Sequence, residues 1–328
     1  MDRPIGDWEQ DEPAASAAFI DYWHQAGRRI DAGFRRQIPL FFDILSPDQQ
    51  SIVRRLLDGK RIRASLLCLV NQALGGDPER SLAPALAVEA VHSASLIHDD
   101  FIDCDAVRRQ RPAEWTVMGA RRAILFADII FATALRRMAE YSAEAGRILG
   151  GAIAATAGGA FEEYLEHPGR GATGFDPYAY YERVLRMKTA HLFGAATQLG
   201  AVSVDAPLAV AQAAFRYGSA LGEAYQIADD LCDLEAAQRG EHGRWEACLP
   251  ALLRFADPSQ RHALPTEPSQ RRHWCESVAP AVAARMRADM AQRAEAALQH
   301  LAAFPEGRSK VTLQAAPSAV IALICAEG

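Results

Sequence analysis

Asp99-Asp100-Phe101-Ile102-Asp103 and Asp229-Asp230-Leu231-Cys232-Asp233 repeat one D-D-x-x-D pattern. Each copy stacks three carboxylates on about one helical turn, where residues four apart share a face and like charges repel. One acidic run of this kind is ordinarily a solvated helix face. Here there are two, and both follow small, largely apolar stretches, Ala90 to His98 and Leu221 to Ala228, of the sort that belong to buried helices. Paired acidic clusters on buried helices point to hard divalent cations. Magnesium fits best, because it takes oxygen ligands, keeps several waters and completes its shell with phosphate oxygens.

A site that holds a metal over an anion also needs bases, and several stand nearby. Gly59-Lys60-Arg61-Ile62-Arg63 places Lys60 and Arg63 three apart, which predicts one face of a helix. His92 precedes Asp99 by two helical turns and so shares its face. Arg108 and Arg109 follow the first motif; as neighbours on a helix they point about 100° apart, so each can meet a different anion. Lys188-Thr189 is embedded in the mostly apolar stretch Met187 to Phe193. Taken singly, each has a plainer reading: surface arginines, a hydrogen-bonded core histidine, a lysine that snorkels to solvent. Together they describe a site for two diphosphates, one bridged by metal and the other gripped by Lys60, Arg63, His92 and Arg109.

The elements that must position these groups are helices. Helical periodicity runs almost from end to end of the 328 residues, with no alternating strand pattern. A helix is expected from Ala15 to Arg35 and a last helical region from Ala279 to about Phe304-Pro305, with loops at Gly75 to Pro78 and at Pro168 to Pro177. Gly150 to Gly159 and Gly194 to Ala201 are small enough to let helices approach closely. The economical organisation is a single all-α domain over 1–328, a large helical bundle with residues 1–12 disordered and 257–272 a surface loop. A net charge of −6 argues against nucleic acid or an anionic membrane surface as partner. No apolar run approaches the ~20 residues of a membrane span, and the first residues have no signal-peptide core. The six scattered cysteines read as reduced thiols of a cytoplasmic protein.

The sequence resembles the trans-isoprenyl diphosphate synthase (polyprenyl synthetase) family. The matching strings are Gly59 to Arg63, Glu89 through Asp99 to Arg108-Arg109, Lys188-Thr189-Ala190, and Tyr225-Gln226 before the second motif, ordered and spaced as in the family. The resemblance implies the all-α isoprenoid synthase fold around a deep central cavity, a homodimer, and a magnesium-dependent prenyltransferase that joins isopentenyl diphosphate head to tail with an allylic diphosphate. It places two or three magnesium ions, or manganese, on Asp99, Asp103 and Asp229, with Asp100, Asp230 and Asp233 close by. It gives the allylic diphosphate to Arg108, Lys188, Thr189 and Gln226, and isopentenyl diphosphate to Lys60, Arg63, His92 and Arg109. Catalysis then falls to Asp99, Asp103, Arg108, Lys188 and Asp229. Family members set product length just before the first motif, where Ala94 and Ser95 are small and imply an open floor and twenty carbons or more. Phe161 and Tyr164 are candidates for a lower floor, or for ordinary core aromatics.

The chain also departs from the pattern. Gln110-Arg111-Pro112 follows the arginine pair where the family has Gly, and Ala127-Asp128 replaces Gly-Asp. The loop after the second motif, Leu234 to Trp245, is short and has no lysine; Arg239 and Arg244 are the available replacements, and a planar guanidinium is not equivalent to a compact ammonium. Two other functions therefore stay open, a terpene cyclase and a non-catalytic partner subunit. The retained isopentenyl-site bases argue against the first, and the six retained aspartates against the second.

Overall fold

The computed structural model describes residues 12–166, 176–240, 244–265 and 267–325, and they are helical nearly throughout. In chain order the helices are α1 (Glu12–Phe41), α2 (Pro47–Leu56), α3 (Ile62–Ala73), α4 (Leu82–Ile102), α5 (Glu114–Met118), α6 (Ala120–Tyr141), α7 (Ala143–Glu166), α8 (Pro177–Val184), α9 (His191–Val202), α10 (Leu208–Gln238), α11 (Arg244–Ala247), α12 (Leu249–Phe255), α13 (Pro258–His262), α14 (Pro268–Gln299) and α15 (Arg308–Cys325). A π-helical turn, Leu185–Ala190, joins α8 to α9. Local chemistry sets several starts. Ser46 and Gln49 form a reciprocal capping box ahead of Pro47, and Asp176 accepts from the Tyr178 amide at the head of α8.

Two helices carry the acidic motifs. α4 is buried among α3, α6, α7 and α9, and α10 lies against α9 and α14. Their apolar approaches are core: Val88, Val91 and Ile97 on α4, Leu221, Ala224 and Ile227 on α10 are all 2% exposed or less. The small-residue stretch of α9 works as expected. A methyl group on Gly200 would overlap the Leu67 carbonyl of α3, and one on Gly222 of α10 would come within 2.9 Å of Ala190 Cα. These close approaches bring α3, α9 and α10 together beneath the site.

Several local expectations are corrected. Arg108 and Arg109 are not on a helix: Val107–Arg108 (β1) pairs antiparallel with Arg111–Pro112 (β2), and Arg109-Gln110 form the turn between them. Lys60 lies outside the helix that carries Arg63, since Arg61, left-handed at φ 56°, caps α3 and breaks the face. The 257–272 surface loop contains α13, started by an Asp257–Gln260 capping box, and the first residues of α14. α14 therefore begins at Pro268 rather than Ala279. Residues 1–11, most of those expected to be disordered, lie outside the described residues. A helix that periodicity missed, α15, follows Phe304-Pro305 and buries Leu313, Ala316, Ala319 and Val320. No helix is long and apolar enough to cross a membrane among the described residues.

Candidate active site

The C-terminal turns of α4 and the middle of α10 face each other across a cavity of about 380 Å³. Asp99, Asp229, Asp230 and Asp233 line it, together with Arg63, His92, Arg108, Arg109, Lys188, Thr189 and Gln226. Asp100 and Asp103 stand aside from its wall. Asp100 is buried and accepts from Arg108 Nε, while Asp103 caps α4 at its exposed end.

Among the described residues no three metal-binding side chains already converge on one point. The reason is visible in their partners. Arg108 holds Asp100, Tyr181 Oη donates to Asp230 Oδ2, and Gln226 Nε2 donates to Asp230 Oδ1 at 3.0 Å and to Asp229 Oδ2 at 3.3 Å. Burial raises the pKa values of Asp99, Asp100 and Asp103. Burial also pushes Asp230 up to about 7, with the charges of Asp229 and Asp233 adding to the shift. An all-oxygen donor set on two facing helices, with Asp99, Asp100, Asp103 and Asp230 disfavoured as anions mainly by burial, fits a hard divalent cation, whose charge would offset that burial.

Lys188 reaches this cavity from the π-helical turn and forms an ion pair with Glu163 of α7. Its burial disfavours the ammonium, but the carboxylates of Asp99, Glu163 and Asp103 outweigh burial and raise its pKa. The next residue, Thr189, donates from Oγ1 to Gln226 Oε1 at 2.7 Å. Thr189, Gln226, Asp230 and Tyr181 thus form one hydrogen-bonded chain that ties α8, the π turn and α10 around the second acidic motif. π turns are rare and concentrate at functional sites.

A second chamber of about 680 Å³ adjoins the first, sharing Arg63, His92, Arg109, Tyr225 and Asp229 as a common wall. Lys60, Arg61, Glu89 and Gln110 also line it. The Arg63 guanidinium stacks 4.3 Å over Phe193, with its Nε unpaired, and burial pushes its pKa down. Burial, then the charges of Arg63, Arg109 and Arg108, hold His92 well below the usual histidine range, so it faces the chamber as a neutral imidazole. Arg109 is steered by its loop: Nη1 donates to the Asp58 carbonyl at 2.7 Å, and a Cβ at Gly59 would stand 2.7 Å from that nitrogen. Lys60 Nζ donates to the Leu323 carbonyl at 2.9 Å, which joins this chamber to α15.

At the apolar end of the first cavity the expectation for chain length changes. Ser95 lines the wall with Leu96, Thr156 and Leu192, whereas Ala94 is fully buried in the core and is not part of that wall. Phe161 is 65% exposed and is neither floor nor core, and the side chain of Tyr164 lies outside the described residues. Thr156 of the same helix, 6% exposed with an unpaired Oγ1, lines the cavity instead. Glu163, Tyr181 and Thr156 escape a reading by motif. For Tyr181 a signal exists, since it precedes Lys188 by two helical turns.

Over Asp233 the wall consists of Ala247, Cys248, Pro250 and Ala251, so the described residues there bring no cation to the cavity. Arg239 is exposed at the end of α10, and the Arg244 side chain lies outside the described residues.

An all-helical bundle with two acidic motifs facing a basic, two-chambered cavity defines a class of enzymes that act on prenyl diphosphates. The polyprenyl synthetase family model matches residues 49–243, and the chain belongs to that family of prenyl-transferring enzymes. A geranylfarnesyl diphosphate synthase from Methanosarcina mazei is 32% identical over 248 residues, 75% of this chain and 81% of that one. A geranylgeranyl diphosphate synthase from Mycobacterium tuberculosis is 38% identical over 178 residues, 53% of this chain and 50% of that one. Among solved structures, a polyprenyl synthase from Caulobacter crescentus CB15, complexed with calcium and isoprenyl diphosphate, superimposes with a TM-score of 0.75 at 26% identity. That superposition covers 92% of this chain and 97% of the other.

Proposed function

We propose that the protein condenses isopentenyl diphosphate with an allylic diphosphate, head to tail and with magnesium, to give an all-trans prenyl diphosphate of twenty carbons or more. The observation that carries this reading is the pair of chambers with a shared wall, one acidic and one basic. The reaction needs two diphosphates side by side, and only the first must be ionised. Asp99, Asp103 and Asp229, supported by Asp100, Asp230 and Asp233, would hold two or three magnesium ions. When bound, these supply Lewis-acid stabilisation of the negative charge on the departing diphosphate.

Arg108, Lys188, Thr189 and Gln226 hold the allylic diphosphate, and the two cations receive the electron pair's charge as the C–O bond breaks. Lys60, Arg63, neutral His92 and Arg109 hold isopentenyl diphosphate so that its double bond faces the allylic carbon. The new C–C bond forms, and the adduct loses a proton to restore an alkene. Leu96, Leu185 and Leu192 keep that part of the cavity apolar, which protects the cation from water. Small Ser95 leaves room for the growing chain.

Relatives named for products from farnesyl to hexaprenyl match this chain at the same 32% identity, so the product length rests here on the cavity wall at Ser95 rather than on the likeness. Exposed Leu125 and Leu135 on α6 and Phe161 on α7 support a homodimer through these helices. We place the protein in the cytoplasm.

The division of labour is tested by two substitutions. Arg109→Gln should raise KM for isopentenyl diphosphate about tenfold or more, and Lys188→Gln should do the same for the allylic substrate. Two variants that move the same KM would contradict the assignment.

A further inference from the structure

We propose that Gln110 is a binding residue for the diphosphate of isopentenyl diphosphate, an inference that rests on the function proposed for the second chamber. The turn Arg109-Gln110 has φ of 50° and 61°, two left-handed residues in succession. A two-residue hairpin of this hand demands positive φ at both centres and therefore favours Asn-Gly or Asp-Gly. Glutamine, with a Cβ and no short side-chain bond to its own backbone, is a poor choice there. A strained residue kept at the rim of a site is a reason to look for what its side chain does.

Gln110 lines the basic chamber with Lys60, Arg63, His92 and Arg109. Its amide has no hydrogen-bond partner among the described residues, and the tip that carries it is fixed. Arg109 Nη1 donates to the Asp58 carbonyl at 2.7 Å, and Arg111 pairs with Asp58 at 3.5 Å from the far side of the turn. The hairpin is thereby tied to the loop that precedes Lys60. The primary amide brings two N–H donors without charge to a chamber whose other donors, neutral His92 apart, are mostly cations. A diphosphate presents more acceptor oxygens than the cations can pair, and the amide serves one of them.

The proposal separates stability from binding, because the two should move in opposite directions at this position. Gln110→Gly removes the left-handed strain and the donor together. It is expected to raise Tm by about 2 °C or more while KM for isopentenyl diphosphate rises about tenfold, with KM for the allylic substrate within about twofold of wild type. Gln110→Asn, which tolerates the left-handed region and keeps a shorter amide, should raise Tm and lose less affinity. Gln110→Glu, equal in size but without the donors and with a charge that repels the diphosphate, should raise the isopentenyl KM most and leave Tm near wild type.

Steady-state kinetics with each substrate varied, and thermal melts of the four proteins, decide the matter. A KM for isopentenyl diphosphate within twofold of wild type in both the Gly and Glu variants overturns the inference, as does an equal rise in both substrates' KM. Wild type that never incorporates isopentenyl diphosphate overturns the proposed function and this inference with it. Normal incorporation with an unmoved KM sinks the Gln110 role alone.

Discussion

At the scale of single residues, the site is governed by what holds each carboxylate before a metal does. Asp230 is buried beside two other aspartates, and the Tyr181 hydroxyl and the Gln226 amide both favour its charged form. Tyr181→Phe removes one of those donors with little change of shape. We expect the magnesium concentration for half-maximal rate to rise about tenfold to a hundredfold, the cost typical of losing an outer partner of a metal ligand, with the rate at saturating metal largely kept. A titration of activity against magnesium checks this; an unmoved half-maximal concentration would mean that Tyr181 only packs against Phe255, its aromatic neighbour at 5.6 Å. Asp100 is different in kind. Arg108 already engages it, so the same guanidinium both holds a motif aspartate and faces the first cavity.

At the scale of elements, α8, α10, α12 and α14 meet in a buried ion network next to the second motif. Glu182, with its side chain 7% exposed, accepts from Arg254 at 3.1 Å and from Arg293 at 2.7 Å, and Arg293 also pairs with Glu223 and Asp289. Arg254 in turn stacks 3.9 Å over Tyr178. Because Glu182 adjoins Tyr181, the network fixes the helix that delivers the Tyr181 hydroxyl to Asp230. Arg293→Met leaves buried Glu182 with Arg254 and the exposed Arg186, and leaves Glu223 with Arg186 alone; it should cost about 3 kcal/mol in urea unfolding, whereas adding Glu182→Leu to it should recover part of that loss. If the single variant unfolds like wild type, the network has no part in holding α8. This network was not legible in the sequence. Its members are spread from Glu182 to Arg293, and only the fold makes them neighbours.

What could be read from the chain, and what could not, divides along the same line. Apolar periodicity and the two D-D-x-x-D runs sufficed for an all-α bundle and for two acidic helices facing one cavity, because both signals are local and strong. Side-chain direction was not local. Arg108 and Arg109 were read as helical neighbours, but the chain turns into a hairpin after Asp103. Ala94 and Ser95 are adjacent in sequence, yet only Ser95 meets the cavity. α15 was hidden by Pro317 inside it and by the Pro305-Glu306-Gly307 break before it. Glu163, the partner of Lys188, has no motif of its own and could be found only once α7 was seen beside the π turn.

At the scale of the whole molecule, two chambers with a common wall are what the proposed handling of two diphosphates together requires. The stretch after α10, Arg239 to Trp245, has no lysine, and Ala247, Cys248, Pro250 and Ala251 bring no cation to the cavity wall. Under the proposed function, Arg63, Arg108, Arg109 and Lys188 of the first cavity, with Lys60 and Arg61 of the second, are the described cations left to serve both anions. The most direct test is a magnesium-dependent assay with labelled isopentenyl diphosphate and each allylic starter, with products sized after phosphatase treatment. The account predicts label in linear chains of twenty carbons or more, and its loss in Asp99→Ala and Asp229→Ala. Label that never enters product, while an allylic diphosphate alone yields cyclic hydrocarbon, would contradict it.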